Sequence, residues 1–129
     1  VNLILLDTHA VLWYAFADDR LSLPAKKAIE NTQNDVYISV ASLWEITIKH
    51  QIGKLTLGMD VDTFFQIMTQ QTDFKLVSLE PKHLLSYARL PLLHRDPFDR
   101  LLISQALVLQ ASLVSADMNF ADYDVDLIW

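Results

Sequence analysis

The chain has 129 residues, of which 52% are hydrophobic and 20% charged, the size and apolar content of a single domain over 1–129 with one core. Sixteen acids against ten bases give a net charge of −6, and the pI near 4.9 argues against a protein that grips nucleic acid through a broad basic surface. The absence of cysteine excludes disulfides and thiolate metal sites, fits a cytoplasmic location, and leaves any metal to oxygen ligands or to the four histidines.

In chain order, NLILLD at 2–7 reads as a short strand ending in an acid, and THAVLWYAFADD carries apolar residues at helical spacing, with Leu12 and Phe16 four apart. DVYISV at 35–40 is a second strand, followed by a helix in ASLWEITIKHQIGKL with Trp44, Ile48 and Ile52 on one face and Gly53 as its C-cap. DVDTFFQIMTQQ at 60–71 is amphipathic, FKLVSL at 74–79 is strand-like, and PKHLLSYARL opens a helix with proline at its first position. PFDRLLISQALVLQA at 97–111 predicts a long helix, SLVSAD a strand ending in an acid, and VDLIW closes the chain. Strands alternating with helices, without hairpin turns, predict a three-layer α/β/α sandwich around a mostly parallel sheet. The longest apolar runs are too short to span a bilayer, so no membrane association is expected. Because the chain starts at Val1 and not at methionine, a residue or more is expected ahead of it.

Ligands of open α/β sheets bind at the carboxyl ends of the strands, near the point where strand order switches. Asp7 ends the first strand, Asp117 follows the SLVS strand, Glu45 lies in the first turns after the second strand, and Asp99 opens the long helix. Each has an ordinary structural explanation. Asp7 and Asp99 suit helix caps, Glu45 can pair with Lys49 or form a capping box with Ser42, and Asp117 can be a turn residue. Together they are harder to explain, because unpaired carboxylates clustered at a partly buried site cost several kcal/mol unless a cation compensates. Oxygen-only ligands suit Mg²⁺ or Mn²⁺, which points to phosphodiester chemistry.

Setting these four aside leaves twelve acids against ten bases, so the remaining surface is not strongly repulsive, and bound cations can reverse the local sign. Arg100, Arg95, His94 and Lys49 lie close in sequence to these acids and are candidate contacts to a phosphate backbone. The four histidines show no metal-ligand spacing, and no serine, histidine and acid arrangement emerges for acyl transfer. DTH at 7–9 lacks the second aspartate of a DxD phosphatase motif. With only two glycines there is no phosphate-cradling loop.

The blocks LLDTHAVLW at 5–13, SVASLWEITIK at 39–49, HRDPFDRLLISQA at 94–106 and LVSADMNFADYDVDLIW at 113–129 resemble, in family order, a PIN domain of the VapC-type toxin ribonucleases of type II toxin–antitoxin modules. The resemblance implies a parallel-sheet sandwich, Mg²⁺- or Mn²⁺-dependent endoribonuclease activity on RNA, a homodimer, and inhibition by a small cognate antitoxin. By motif position Asp7, Glu45, Asp99 and Asp117 match the family's acids, and Ser115 stands where threonine is usual. Asp7 and Asp99 are then expected to bind the principal metal, with Glu45 completing the shell or orienting water and Asp117 supporting a second ion or a water. Thr8, Asp96 and Ser115 are expected to hold or orient those acids, Asp96 with Pro97 starting the helix. Competing readings are a PIN-like module that binds RNA or a protein without cutting, and a metal-dependent phosphatase or DNA nuclease. A mean hydropathy of +0.23 is high for so small a domain and calls for a dimer or partner to cover apolar surface, with Trp13, Tyr14 and Trp44 as candidates.

Overall fold

The first strand, β1 (Asn2–Leu6), is apolar on both faces: Ile4, Leu5 and Leu6 are all buried. Such a strand belongs at the centre of a parallel sheet with helices on either side. In the computed structural model, which describes residues 2–129, β1 pairs in parallel with β2 (Asn34–Ser39) and β4 (Ser112–Val114). The edges are β3 (Lys75–Val77) and β5 (Leu127–Ile128), and the order is β3-β2-β1-β4-β5. The expectation about what precedes Val1 lies outside the described residues.

Alternate residues of β1 serve different cores. Ile4 and Leu6 pack with α1 (Thr8–Ala15), α2 (Leu23–Glu30), α3 (Val40–Gln51) and α4 (Val61–Gln70), through Val11, Ile29, Ile46 and Phe64. Leu5 packs on the opposite face against Leu102, Ile103 and Ala106 of α6 (Pro97–Leu109), on which α5 (Pro81–Arg89) lies. Two apolar layers sandwich the sheet, as predicted, and full burial of each leucine or isoleucine of β1 contributes roughly 1.5–3 kcal/mol.

Three local features were unanticipated. The first is α2, whose LPAKKAIE is too polar to show a stripe; its signals are Ser22, which accepts the Ala25 N–H at 3.2 Å, and a proline in the first turn. The second concerns the Trp44, Ile48 and Ile52 face of α3, which turns outward, with Trp44 57% and Ile52 59% exposed, while Leu43 and Ile46 enter the core. The third follows the fourth strand, where residues 118–122 make a short 3₁₀ helix capped by Asp117. At the end of α3, Gly53 (φ 77°) sits just past the last turn. Its N–H bonds to the carbonyl of His50 and that of Lys54 to Lys49, a Schellman ending that uses the left-handed conformation glycine adopts without strain.

No helix among the described residues is long and apolar enough to cross a membrane.

Candidate active site

The strand order reverses direction across β1 and β4, and the segments leaving their carboxyl ends diverge there. Asp7 leaves β1 at this point, and its backbone N–H bonds to the Val114 carbonyl of β4 at 3.1 Å. Its side chain caps α1, with Oδ1 accepting the Ala10 N–H at 2.7 Å. Burial pushes the Asp7 carboxyl above the usual range, opposed by the Ser115 hydroxyl and the Ala10 N–H, and the nearby Asp117 adds to the rise. Ser115 follows β4, is buried, and accepts the Asp117 N–H at 3.0 Å, so one hydroxyl steadies the ends of both acids' segments.

Glu45 enters from α3. It is 8% exposed, and Oε1 accepts the Thr8 hydroxyl at 2.6 Å while Oε2 pairs with Lys49 Nζ at 2.9 Å, one helical turn on. Thr8 Oγ1 also stands 3.1 Å from Ser42 Oγ; with its single proton committed to the carboxylate, Thr8 accepts from Ser42. The pairing with Lys49 therefore coexists with a position in the site. Ser39 anchors the same region: it caps α3 and donates to Gln105 Oε1 of α6, tying the helix that carries Glu45 to the one that carries Asp99.

Asp96 and Pro97 start α6 as the sequence implies. Asp96 Oδ1 accepts the N–H groups of Phe98 at 2.9 Å and Asp99 at 3.3 Å, which leaves the Asp99 side chain free to face the cleft. Burial raises the Asp99 pKa to about 6 against the lowering effect of its His94 hydrogen bond, with Asp96 and Glu45 adding to the rise. His94 Nε2 lies 2.8 Å from Asp99 Oδ2. His94, Asp99 and Asp117 each present a ligand atom, and the three atoms lie within 4.8 Å of one another.

These side chains line one cleft of about 250 Å³: Asp7, Thr8, His9, Glu45, Lys49, His94, Asp96, Asp99 and Asp117. All four acids singled out in the sequence meet there, from β1, α3, α6 and the turn after β4. Of the four phosphate-contact candidates, Lys49 lines the cleft. His94 reaches it too, but as a partner of Asp99, a role its chain position could not show. Arg95 is exposed and is not among the lining residues.

The expectation for Arg100 is overturned, since its side chain is buried at 4% exposure and turned away from the acids. Nη1 donates to the Pro91 carbonyl at 2.9 Å and the Tyr123 hydroxyl at 3.2 Å, and the guanidinium lies 4.7 Å from the centre of the Tyr87 ring. One residue along a helix turns the side chain about 100°, so Asp99 in the cleft sends Arg100 beneath the 91–94 loop. Tyr123, unnoticed in the sequence, completes this knot: its hydroxyl donates to Pro91 and accepts the His94 N–H at 2.9 Å, fixing the loop that presents His94.

The donor set suits a hard divalent cation. Carboxylate oxygens dominate, and two of the acids, Asp7 and Asp99, are held above their ordinary pKa by burial that a nearby cation would offset. A single imidazole beside them is also compatible with Mn²⁺.

A family model described as PIN domain matches residues 4–126. The chain is 26% identical over 121 residues to Ribonuclease VapC22 of Mycobacterium tuberculosis, covering 93% of this chain and 91% of that protein. Its fold is similar to the crystal structure of VapBC2 from Rickettsia felis bound to a DNA fragment from their promoter, with TM-score 0.73 and 18% identity over 97% of this chain and 96% of that one. A toxin–antitoxin complex from Klebsiella pneumoniae is similar at TM-score 0.62 and 17% identity, covering 94% and 92% of the two chains. At such identities the likeness is one of fold.

Proposed function

The chain belongs to the PIN domain family, and from that premise we propose that it is a Mg²⁺- or Mn²⁺-dependent endoribonuclease, the toxin of a type II toxin–antitoxin module, working in the cytoplasm where its RNA substrate is. The observation that carries this reading is the convergence of Asp7, Glu45, Asp99 and Asp117 on one cleft at the strand switch point. The relative named Ribonuclease VapC22 and the fold neighbours solved as toxin–antitoxin complexes support the same reading, including a cognate antitoxin as partner. A homodimer fits the exposed apolar side chains, among them Trp44 and Ile52 on α3 and Leu84 and Leu85 on α5.

Asp7, Asp99 and Asp117 are the oxygen donors that would hold the ion, with His94 beside them. When bound, a divalent ion supplies charge stabilisation at the phosphoryl oxygens and lowers the pKa of water. The chain's own groups do the positioning. The α1 N-terminus fixes one Asp7 oxygen through the Ala10 N–H, and the Ser115 hydroxyl steadies the carboxyl further. Thr8 and Lys49 hold Glu45, whose carboxylate is placed to orient a water and take its proton. Lys49 also brings positive charge to the cleft mouth, where a scissile phosphate would arrive between acids that otherwise repel it.

The test is cleavage of a panel of structured RNA, single-stranded RNA, DNA and small phosphoesters by the purified protein. Cleavage of RNA that EDTA abolishes and Mn²⁺ or Mg²⁺ restores, and that Asp7→Ala lacks while remaining folded, is the expected result. Chelator-resistant cleavage, or full activity in Asp7→Ala, would refute the metal mechanism. Activity confined to small phosphoesters would make the chain a phosphatase.

A further inference from the structure

Beside the acid cleft lies a second groove of about 410 Å³, between α1 and the connection from α3 to α4, and the two share Thr8, His9 and Lys49. Its chemistry differs from that of the chain as a whole. Arg20, Lys49 and Lys54 line it, three of only ten basic side chains in a protein of net charge −6, against the single acid Asp18. His9 is exposed, and its ring stacks on Trp13 at 5.3 Å between centroids and 10° between planes. Trp13 is fixed in turn by Arg20 over its ring at 5.0 Å and by the tilted Trp129 at 5.6 Å. The ordered aromatic stack therefore ends in an imidazole face beside the acids, two residues from Asp7.

A planar ring backed by a tryptophan, with ammonium groups alongside and an opening into a metal-type carboxylate cleft, matches what an unpaired nucleotide requires: a surface for its base and cations for its phosphate. We infer that this groove is the binding subsite for the unpaired RNA nucleotide next to the scissile phosphate, with its base stacked on His9 and its phosphate met by Lys49 and Lys54. The inference rests on the ribonuclease reading and deepens it. The acids bind and activate, and the neighbouring groove selects single-stranded or looped RNA, because a base paired within a helix offers no free face to His9. Lys49 belongs to both regions: it holds Glu45 on one side and faces the groove on the other.

The experiment measures fluorescence anisotropy of a short labelled single-stranded RNA with Mg²⁺, in an Asp99→Asn background that prevents turnover, alongside cleavage of the same RNA by the wild type. His9→Ala should weaken binding about tenfold or more, the usual effect of losing one base-stacking partner. Lys54→Glu should weaken it further and flatten its salt dependence, whereas the same charge change at Lys82→Glu, on α5 across the sheet, should leave affinity within about twofold. A blunt duplex without unpaired bases should bind weakly and respond little to His9→Ala. If His9→Ala and Lys54→Glu bind like the background, or lose no more than Lys82→Glu, the subsite is refuted while the ribonuclease stands. If instead they leave RNA affinity intact and weaken the complex with a co-expressed antitoxin, the groove belongs to the protein partner. If the wild type neither binds nor cuts RNA, the ribonuclease reading itself falls and the subsite with it.

Discussion

Asp99 and Arg100 are neighbours in the first turn of α6, yet they belong to two polar regions built on opposite terms. Around Arg100, donors and acceptors are matched: the guanidinium meets the Pro91 carbonyl, the Tyr123 hydroxyl and the Tyr87 ring, and Tyr123 bonds Pro91 and His94 in turn. Around Asp99, burial together with the neighbouring carboxylates of Asp96 and Glu45 outweighs the His94 hydrogen bond, so that the carboxyl pKa rises to about 6. A satisfied network of this kind rigidifies a fold, whereas a frustrated one is retained where a ligand will supply what is missing. The lesson is that burial of a charged group does not indicate its role; the state of its partners does.

The comparison can be broken most sharply by exchanging the charges. Asp99→Asn should lower RNA cleavage by about a thousandfold, the scale of several kcal/mol of metal-dependent stabilisation, while the metal-free protein unfolds at the same temperature or higher. Asp96→Asn, which still caps α6, should cost far less activity; a reversal of these two effects would show that the cap and not the cleft acid matters. Arg100→Met should do the opposite, lowering stability in urea by about 3 kcal/mol because buried acceptors lose their donor, with cleavage preserved wherever the variant is folded. Unchanged stability with weakened RNA binding would return Arg100 to the phosphate contacts.

A pH titration of metal-free stability sharpens the contrast further. The Asp99 pKa is raised in the folded state, from 3.8 to about 6, so its contribution is fully present below pH 4 and is lost as pH rises through 6. That loss is roughly 2 kcal/mol once the residual exposure of the side chain is allowed for. The Asp99→Asn change should remove this share of the slope and leave the smaller one expected of Asp7, whose carboxyl is also raised by burial, and saturating Mg²⁺ should offset both. A slope unaffected by both would place its origin elsewhere.

The smallest effect concerns the far end of the same helix. Gln110 ends α6 in the left-handed region at φ 56°, where Gln110→Gly should add about 0.5–1 kcal/mol to thermal stability without altering cleavage. A change in cleavage would mean that the stability of α6, and not its first turn, governs the site.

Much of the site was legible because acids at strand ends and helix starts announce themselves in one dimension: Asp7 after an apolar strand, Asp96 and Asp99 around a proline, Glu45 one turn into α3. The roles of their basic neighbours were not legible. His94 and Arg100 are fixed by Tyr123, more than twenty residues away in the chain, through a single hydroxyl, and no local pattern encodes that contact. The fold shows the same division. Strands and strongly apolar helices follow from periodicity, but α2 buries only Ala25 and Ile29 and so leaves little trace, and the exposed Trp44 stripe has the period of a core face while lying outside the core of one chain.

The burial of β1 on both faces has a consequence for how its position along the sheet is set. Ile4, Leu5 and Leu6 are interchangeable in character, so sliding the strand by one residue would exchange apolar side chains for one another, and alternation alone gives the sheet little means of detecting the error. Asp7 gives it one. A carboxylate drawn into the apolar layer would lose the Ala10 N–H and Ser115, so the acid acts as an end-stop that seats the strand. An acid proposed to hold the metal is thus also the datum from which the central strand is measured, and an uncharged replacement that keeps the cap, Asp7→Asn, separates the two duties more cleanly than alanine does.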